Sequence, residues 1–124
     1  MFSRIMYVTL FVSDQEKALD FYTNSFGFQK LIDYKGPEGR FLTIGVKDQG
    51  PEVLLWLGTA GRATATPGVG PLCIESDDLR RDFTELKARG VKFLELEPET
   101  YPFGMRVTAL DPDGNPVALR QARK

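Results

Sequence analysis

Few side chains in this chain could do chemistry, and what is missing narrows the choice. None of the 124 residues is a histidine, which removes the commonest metal ligand and the usual acid–base group at neutral pH. Histidine-dependent nucleophilic triads and histidine-bearing zinc sites are excluded with it. Acid–base work falls to Glu, Asp, Tyr, Lys or Cys. Cys73 is the one cysteine, so no internal disulfide can form. It lies in the apolar run Pro71 to Ile74 and reads as a buried, inert thiol, with a reactive nucleophile as the alternative. Glu75 could hold a cationic group or act as a base; a carboxylate favoured by a helix dipole explains it equally well. Arg106 offers a planar donor fork for an anionic group, and a solvated surface arginine is the other reading. Asp111 and Asp113 look like an acidic pair, but the sequence Asp111-Pro112-Asp113-Gly114-Asn115 is turn chemistry. The glycines of Gly36 to Gly39 follow no phosphate-loop spacing and open no helix, so a nucleotide site is not indicated. Arg80, Arg81, Lys87 and Arg89 read as the solvated side of a helix.

These residues need elements to position them. Met6 to Val12 alternates as a strand, with Val8, Leu10 and Val12 on one face and Tyr7, Thr9 and Phe11 on the other. Ser13 and Glu16 have the spacing of a capping box. The helix after it carries Ala18, Leu19, Tyr22 and Phe26 as one stripe and stops at Gly27. Strands are expected over Phe28 to Tyr34, Arg40 to Val46 and Glu52 to Leu57, with turns at Gly36 to Gly39 and Asp48 to Pro51. Gly58 to Gly70 reads as a linker. The plan then repeats. Leu72 to Glu75 is a strand, and Ser76-Asp77-Asp78 opens a helix with the stripe Leu79, Phe83 and Leu86, ending at Gly90. Strands follow over Val91 to Leu96, Met105 to Leu110 and Pro116 to Gln121. The intervals Asp14 to Gly27 and Asp77 to Gly90 are equal in length and lie about half the chain apart. The organisation expected is a single α+β domain, 1–124, of two βαβββ modules, 1–58 and 71–124, joined by a linker over 59–70. Half a chain alone would leave one sheet face bare, so the two sheets are expected to cover each other or curve into an open barrel.

Composition sets the partners. Apolar residues make up 42% and charged residues 27% of the chain, and the net charge is −1. No basic face is implied, so nucleic acid is not an expected partner. No window reaches the apolar length of a membrane span. Met1 to Asp14 lacks a signal-peptide layout, so a cytoplasmic location is expected.

Three segments, in this order, resemble the vicinal oxygen chelate superfamily, which includes glyoxalase I, extradiol dioxygenases and bleomycin-resistance proteins. The first is Val8-Thr9-Leu10-Phe11-Val12-Ser13-Asp14 with Ala18 to Tyr22 and Phe26-Gly27-Phe28. The second is Leu86-Lys87-Ala88-Arg89-Gly90-Val91. The third is Asp111 to Asn115 before the final strand. The resemblance implies two βαβββ modules forming a cupped, partly open mixed-sheet barrel with helices outside, and commonly a homodimer. Metal-using members draw four ligands, usually His, Gln or Glu, from four strands. Carried over, those positions fall on Tyr7, Leu55, Pro71 and Ala118. Leu, Pro and Ala cannot coordinate a divalent metal, so no metal and no cofactor is expected.

A cup without its metal is a hydrophobic pocket. On this reading Tyr7, Thr9 and Phe11 line one wall. Val53, Leu55 and Leu57 face inward, and Leu54 and Trp56 face the helices. Pro71, Cys73 and Ala118 face inward from the second module, with Arg120 beside them, and Phe103, Met105 and Arg106 stand at a strand entrance. Such a site suits a small, largely apolar organic molecule. The leading expectation is a metal-independent binding protein of the bleomycin-resistance type, sequestering such a molecule, an antibiotic among the candidates. The alternatives are a metal-free glyoxalase-like isomerase or lyase using Tyr7, Glu75 or Cys73, and a non-catalytic dimeric interaction module.

Overall fold

The alternating segment Tyr7–Val12 forms strand β1, with Leu10 and Val12 buried and Thr9 and Phe11 exposed. A computed structural model describes residues 1–58 and 70–123; most of the linker expected over 59–70 lies outside the described residues. Helix α1 (Gln15–Phe26) follows β1. Its N-cap is Asp14, not Ser13: the Asp14 carboxylate accepts from the Lys17 N–H at 3.1 Å. Glu16, expected to complete a capping box, instead reaches across to Arg40 at 2.7 Å. Gly27 ends the helix in the left-handed region, φ 72°, and its N–H and that of Phe28 close back onto Thr23 and Tyr22. Ala18 and Tyr22 are the buried points of the expected stripe.

Three strands complete the first sheet: β2 (Gln29–Gly36), β3 (Gly39–Val46) and β4 (Gln49–Leu57). The order is β1-β4-β3-β2, with β1 parallel to β4 and the other pairs antiparallel. The turn expected over Asp48 to Pro51 is shifted toward the N-terminus. Val46 pairs with Gln49, so only Lys47 and Asp48 lie between the strands, and Asp48 takes φ 62° to allow it. α1 is pinned to this sheet at its first turn. Gln15 Nε2 donates to the carbonyls of Arg40 and Leu55, both at 2.9 Å. Arg40 forks onto Asp33 through Nε and Nη2, each at 2.8 Å.

The second half gives β5 (Leu72–Glu75), α2 (Leu79–Ala88), β6 (Lys92–Phe93), β7 (Glu99–Tyr101), β8 (Gly104–Leu110) and β9 (Pro116–Ala122). The sheet runs β5-β9-β8-β6, with β7 also paired to β8. The Asp78 carboxylate caps α2 through the Arg81 N–H at 3.1 Å. Two details differ from expectation. The strand over Val91 to Leu96 is cut to two residues, because beyond it Glu95 supplies the partners: its carboxylate accepts the Thr108 N–H at 2.8 Å and the Thr108 hydroxyl at 2.9 Å. β7 is an additional strand, formed because Gly104, at φ 141°, lets the chain reverse around Pro102 and Phe103. The acidic pair is turn chemistry, as read from sequence. Asp111 Oδ1 accepts the N–H groups of Asp113 at 2.9 Å and Asn115 at 2.8 Å, while Gly114 takes φ 80°.

Among the described residues the architecture is α+β, with two helices and two mixed, open sheets. The chain divides into two units, Met1–Gly61 and Arg62–Lys124. Each buries one sheet face under its own helix: Leu10, Val12, Leu42, Ile44 and Leu55 in the first, Leu72, Val107, Ala109, Val117 and Leu119 in the second. No described helix is long and apolar enough to cross a membrane.

Candidate functional site

Strand register decides which side chains share a surface. In parallel β1 and β4, Tyr7 pairs with Glu52, Thr9 with Leu54 and Phe11 with Trp56; Leu10 pairs with Leu55 and Val12 with Leu57. Partners across a ladder project to the same side, and successive residues alternate. Glu52, Leu54 and Trp56 therefore stand with Tyr7, Thr9 and Phe11, on the face turned away from α1. Leu55 does not. It is fully buried on the helix side with Leu10 and Ile44. The expectation that Val53, Leu55 and Leu57 face inward, with Leu54 and Trp56 toward the helices, is reversed. A one-residue offset between β1 and β4 is invisible in strand alternation alone, and it flips every side chain.

Antiparallel β3 and β2 extend the same face. Thr43 pairs with Leu54, Ile32 with Thr43 and Tyr34 with Phe41. The result is an aromatic surface. Tyr7 and Phe41 meet edge to face with ring centroids 5.5 Å apart. Tyr34, Phe41 and Trp56 line a cleft of about 210 Å³, closed at one side by the turn Gly36-Pro37-Glu38-Gly39. Thr43 is fully buried, and its hydroxyl donates to the Glu52 carboxylate while accepting from the Ile32 N–H. The one charged group on the central strands of this face is thus tied down. Tyr34 and Phe41 were not singled out from sequence; the apolar alternation of β2 and β3 was the signal available.

The second sheet has a different character. Cys73 pairs with Ala118 and Glu75 with Arg120; Thr108 pairs with Ala118 and Arg106 with Arg120. These residues share the face turned away from α2. Cys73 is exposed, contrary to the buried thiol expected, because β5 is an edge strand and Cys73 alternates with the buried Leu72. Tyr101 joins them from β7. Its ring centroid is 5.2 Å from the Arg106 guanidinium carbon and 5.0 Å from that of Arg120, and Arg120 Nη1 donates to its hydroxyl at 3.0 Å. That hydrogen bond, with a smaller contribution from Cys73, raises the Arg120 guanidinium pKa above its ordinary value.

Three of the other sequence candidates lie elsewhere. Met105 pairs with Gln121, whose side chain accepts the Leu79 N–H of α2 at 2.7 Å, so Met105 is on the helix side. Phe103 is exposed at the tip of the β7–β8 turn, edge-on to Tyr101. Pro71 is exposed, one residue before β5. Tyr101, a partner to both arginines, was missed because β7 was not expected.

A family model of the Glyoxalase/Bleomycin resistance protein/Dioxygenase superfamily matches residues 4–119. The chain belongs to this superfamily. Its match as a member runs through both units. Similar solved structures include TnmS3, an antibiotic binding protein from Streptomyces sp. CB03234, at 33% identity and a TM-score of 0.81, covering 98% of each chain. A superfamily member from Sphaerobacter thermophilus DSM 20745 aligns at 33% identity and a TM-score of 0.84, again over 98% of each chain. In sequence, the uncharacterized Bacillus subtilis protein YetH is 28% identical over 98% of this chain and all of its own length. The glyoxalase-like α+β fold is that of these superfamily structures.

Superfamily members that use a metal need four donors, and the residues here do not fit one. Leu55 is buried under α1, and Pro71 and Ala118 carry no donor side chain. Among the described residues, no three Cys, Asp or Glu side chains gather as a metal site would require.

Proposed function

We propose that the chain is a metal-independent binding protein that sequesters a small, largely apolar aromatic molecule, with antibiotics among the candidate ligands. The observation that carries this reading is the aromatic face of the first unit. Tyr34, Phe41 and Trp56 line an open cleft of about 210 Å³, with Tyr7 and Phe11 exposed on the same side. Aromatic residues clustered and exposed on one face leave apolar surface in water, and such patches mark ligand or interaction sites, where a bound molecule removes that surface from water. The cleft is smaller than the roughly 300–1,000 Å³ of a whole drug-sized site, so it suits one ring system of a larger ligand. Flat rings stack there without any hydrogen-bond code, since aromatic pairs gain beyond their buried area. Likeness to an antibiotic binding protein at 33% identity supports the same reading. Sequestration needs no acid, base or metal, which agrees with the donor set.

Trp56 is the single tryptophan of the chain and lines the cleft, so it reports occupancy directly. A ligand found by thermal-shift screening of aromatic natural products should quench or shift Trp56 emission saturably. Trp56→Ala should weaken binding of that ligand by at least roughly tenfold, the scale of losing one well-buried aromatic contact. A screen in which no compound raises the melting temperature would sink the proposal.

A further inference from the structure

The face of the second sheet carries two guanidinium groups side by side. Arg106 and Arg120 are register partners on adjacent strands, and like charges directly opposite one another are unfavourable unless something offsets them. Opposite charges are near in sequence register: Glu99 pairs with Arg106 and Glu75 with Arg120. Yet none of the ion pairs among the described residues involves Arg106. Its Nε is buried and has no hydrogen-bond partner among the described residues. The side chain is instead laid against Tyr101, 5.2 Å from the ring centroid. A buried N–H without an acceptor is a cost that folding alone does not explain.

We propose that Arg106, steadied by Tyr101, is the anchor for the carboxylate of a small aromatic acid. This rests on the small-molecule reading above only for the class of ligand, an aromatic molecule; the anchor itself lies wholly in the second unit. A guanidinium presents a rigid donor fork that a planar carboxylate meets through two parallel hydrogen bonds. Contact with Tyr101 holds the fork before the ligand arrives, so less rotamer freedom is lost on binding. The Arg120 charge adds to the attraction. Glu75 and Glu99, exposed at the two ends of the row, confine an anion to its middle. Cys73, exposed on the edge strand, and Ala118 keep the neighbouring row free of further charge, with Ala118 and Thr108 themselves buried.

Calorimetric titration of the full chain with 2-naphthoate and its neutral isostere 2-naphthamide tests this. The acid should bind at least roughly tenfold tighter than the amide, with an advantage that shrinks as salt rises. In Arg106→Gln the two probes should bind within about twofold of each other. Arg106→Lys, which keeps the charge but not the fork, should retain part of the difference and shows that the sheet still folds. Equal affinities in the unmodified protein, or an undiminished difference in Arg106→Gln, would overturn the anchor. Inorganic phosphate competing as well as the acid would overturn the carboxylate assignment. A protein that binds neither probe but takes up a neutral compound from the thermal-shift screen also overturns the anchor while leaving the small-molecule reading intact. Only a silent screen removes both.

Discussion

At the scale of single residues, two kinds of charge are handled in opposite ways. Arg40 is fully committed: its fork closes on Asp33, and its remaining nitrogen reaches Glu16. Arg106 is not committed to any carboxylate among the described residues. The Arg40 hydrogen bonds hold the Asp33 carboxyl at about 2, below the ordinary 3.8. A carboxyl whose folded-state pKa is lowered stabilises the fold above its unfolded value, and that contribution is lost as pH falls toward the folded value. The window here is therefore about pH 4 down to 2. Asp33→Asn should flatten the dependence of the urea midpoint on pH across that window and lower the midpoint at neutral pH. An unchanged acid limb in the variant would show that the ion pair contributes nothing, as many exposed pairs do. Several residue roles were legible early, among them the Asp111–Asn115 turn, because its chemistry is local. The exposure of Cys73 was not, since an apolar neighbourhood in sequence does not say which strand ends up at an edge.

At the scale of elements, the helices and most strands follow from pattern, and the deviations come from glycines and polar contacts over a distance. The β7–β8 hairpin exists because Gly104 adopts φ 141° with its Cα against the Gln121 carbonyl; a Cβ there would overlap that oxygen. Gly27, at φ 72°, has nothing within 4 Å of the same position. Gly104→Ala should therefore cost about 2–4 kcal/mol, strain plus collision, and Gly27→Ala only about 1 kcal/mol of strain. Urea unfolding of both variants checks the ranking; equal costs would mean the collision relaxes freely. The short β6 has a similar origin. Glu95 takes the Thr108 N–H and hydroxyl, a choice between ladder and side chain that propensity cannot rank.

At the scale of the molecule, the superfamily match spans residues 4–119, and metal independence is the part of the proposed function that the intact protein tests directly. Native mass spectrometry of freshly purified protein should show no divalent-metal increment, and a chelator should leave binding of the screened ligand unchanged. One metal per chain would refute metal independence and return enzyme chemistry to first place. The same spectrum counts subunits, and a homodimer is expected from the family resemblance.

Composition and local spacing by themselves determined the absence of histidine chemistry, the repeated strand–helix–strands plan, the helix stops and the Asp111 turn, because each depends on residue type or on neighbours a few positions away. Only the tertiary structure decided which residues share a face. The β1–β4 register sends Leu55 under α1 and brings Trp56 out beside Phe11, and the unforeseen β7 brings Tyr101 between two arginines. Side chains alternate with a period of two along a strand, so a shift of one residue between partners distant in sequence, which no local pattern records, exchanges the face packed under the helix for the face turned away from it.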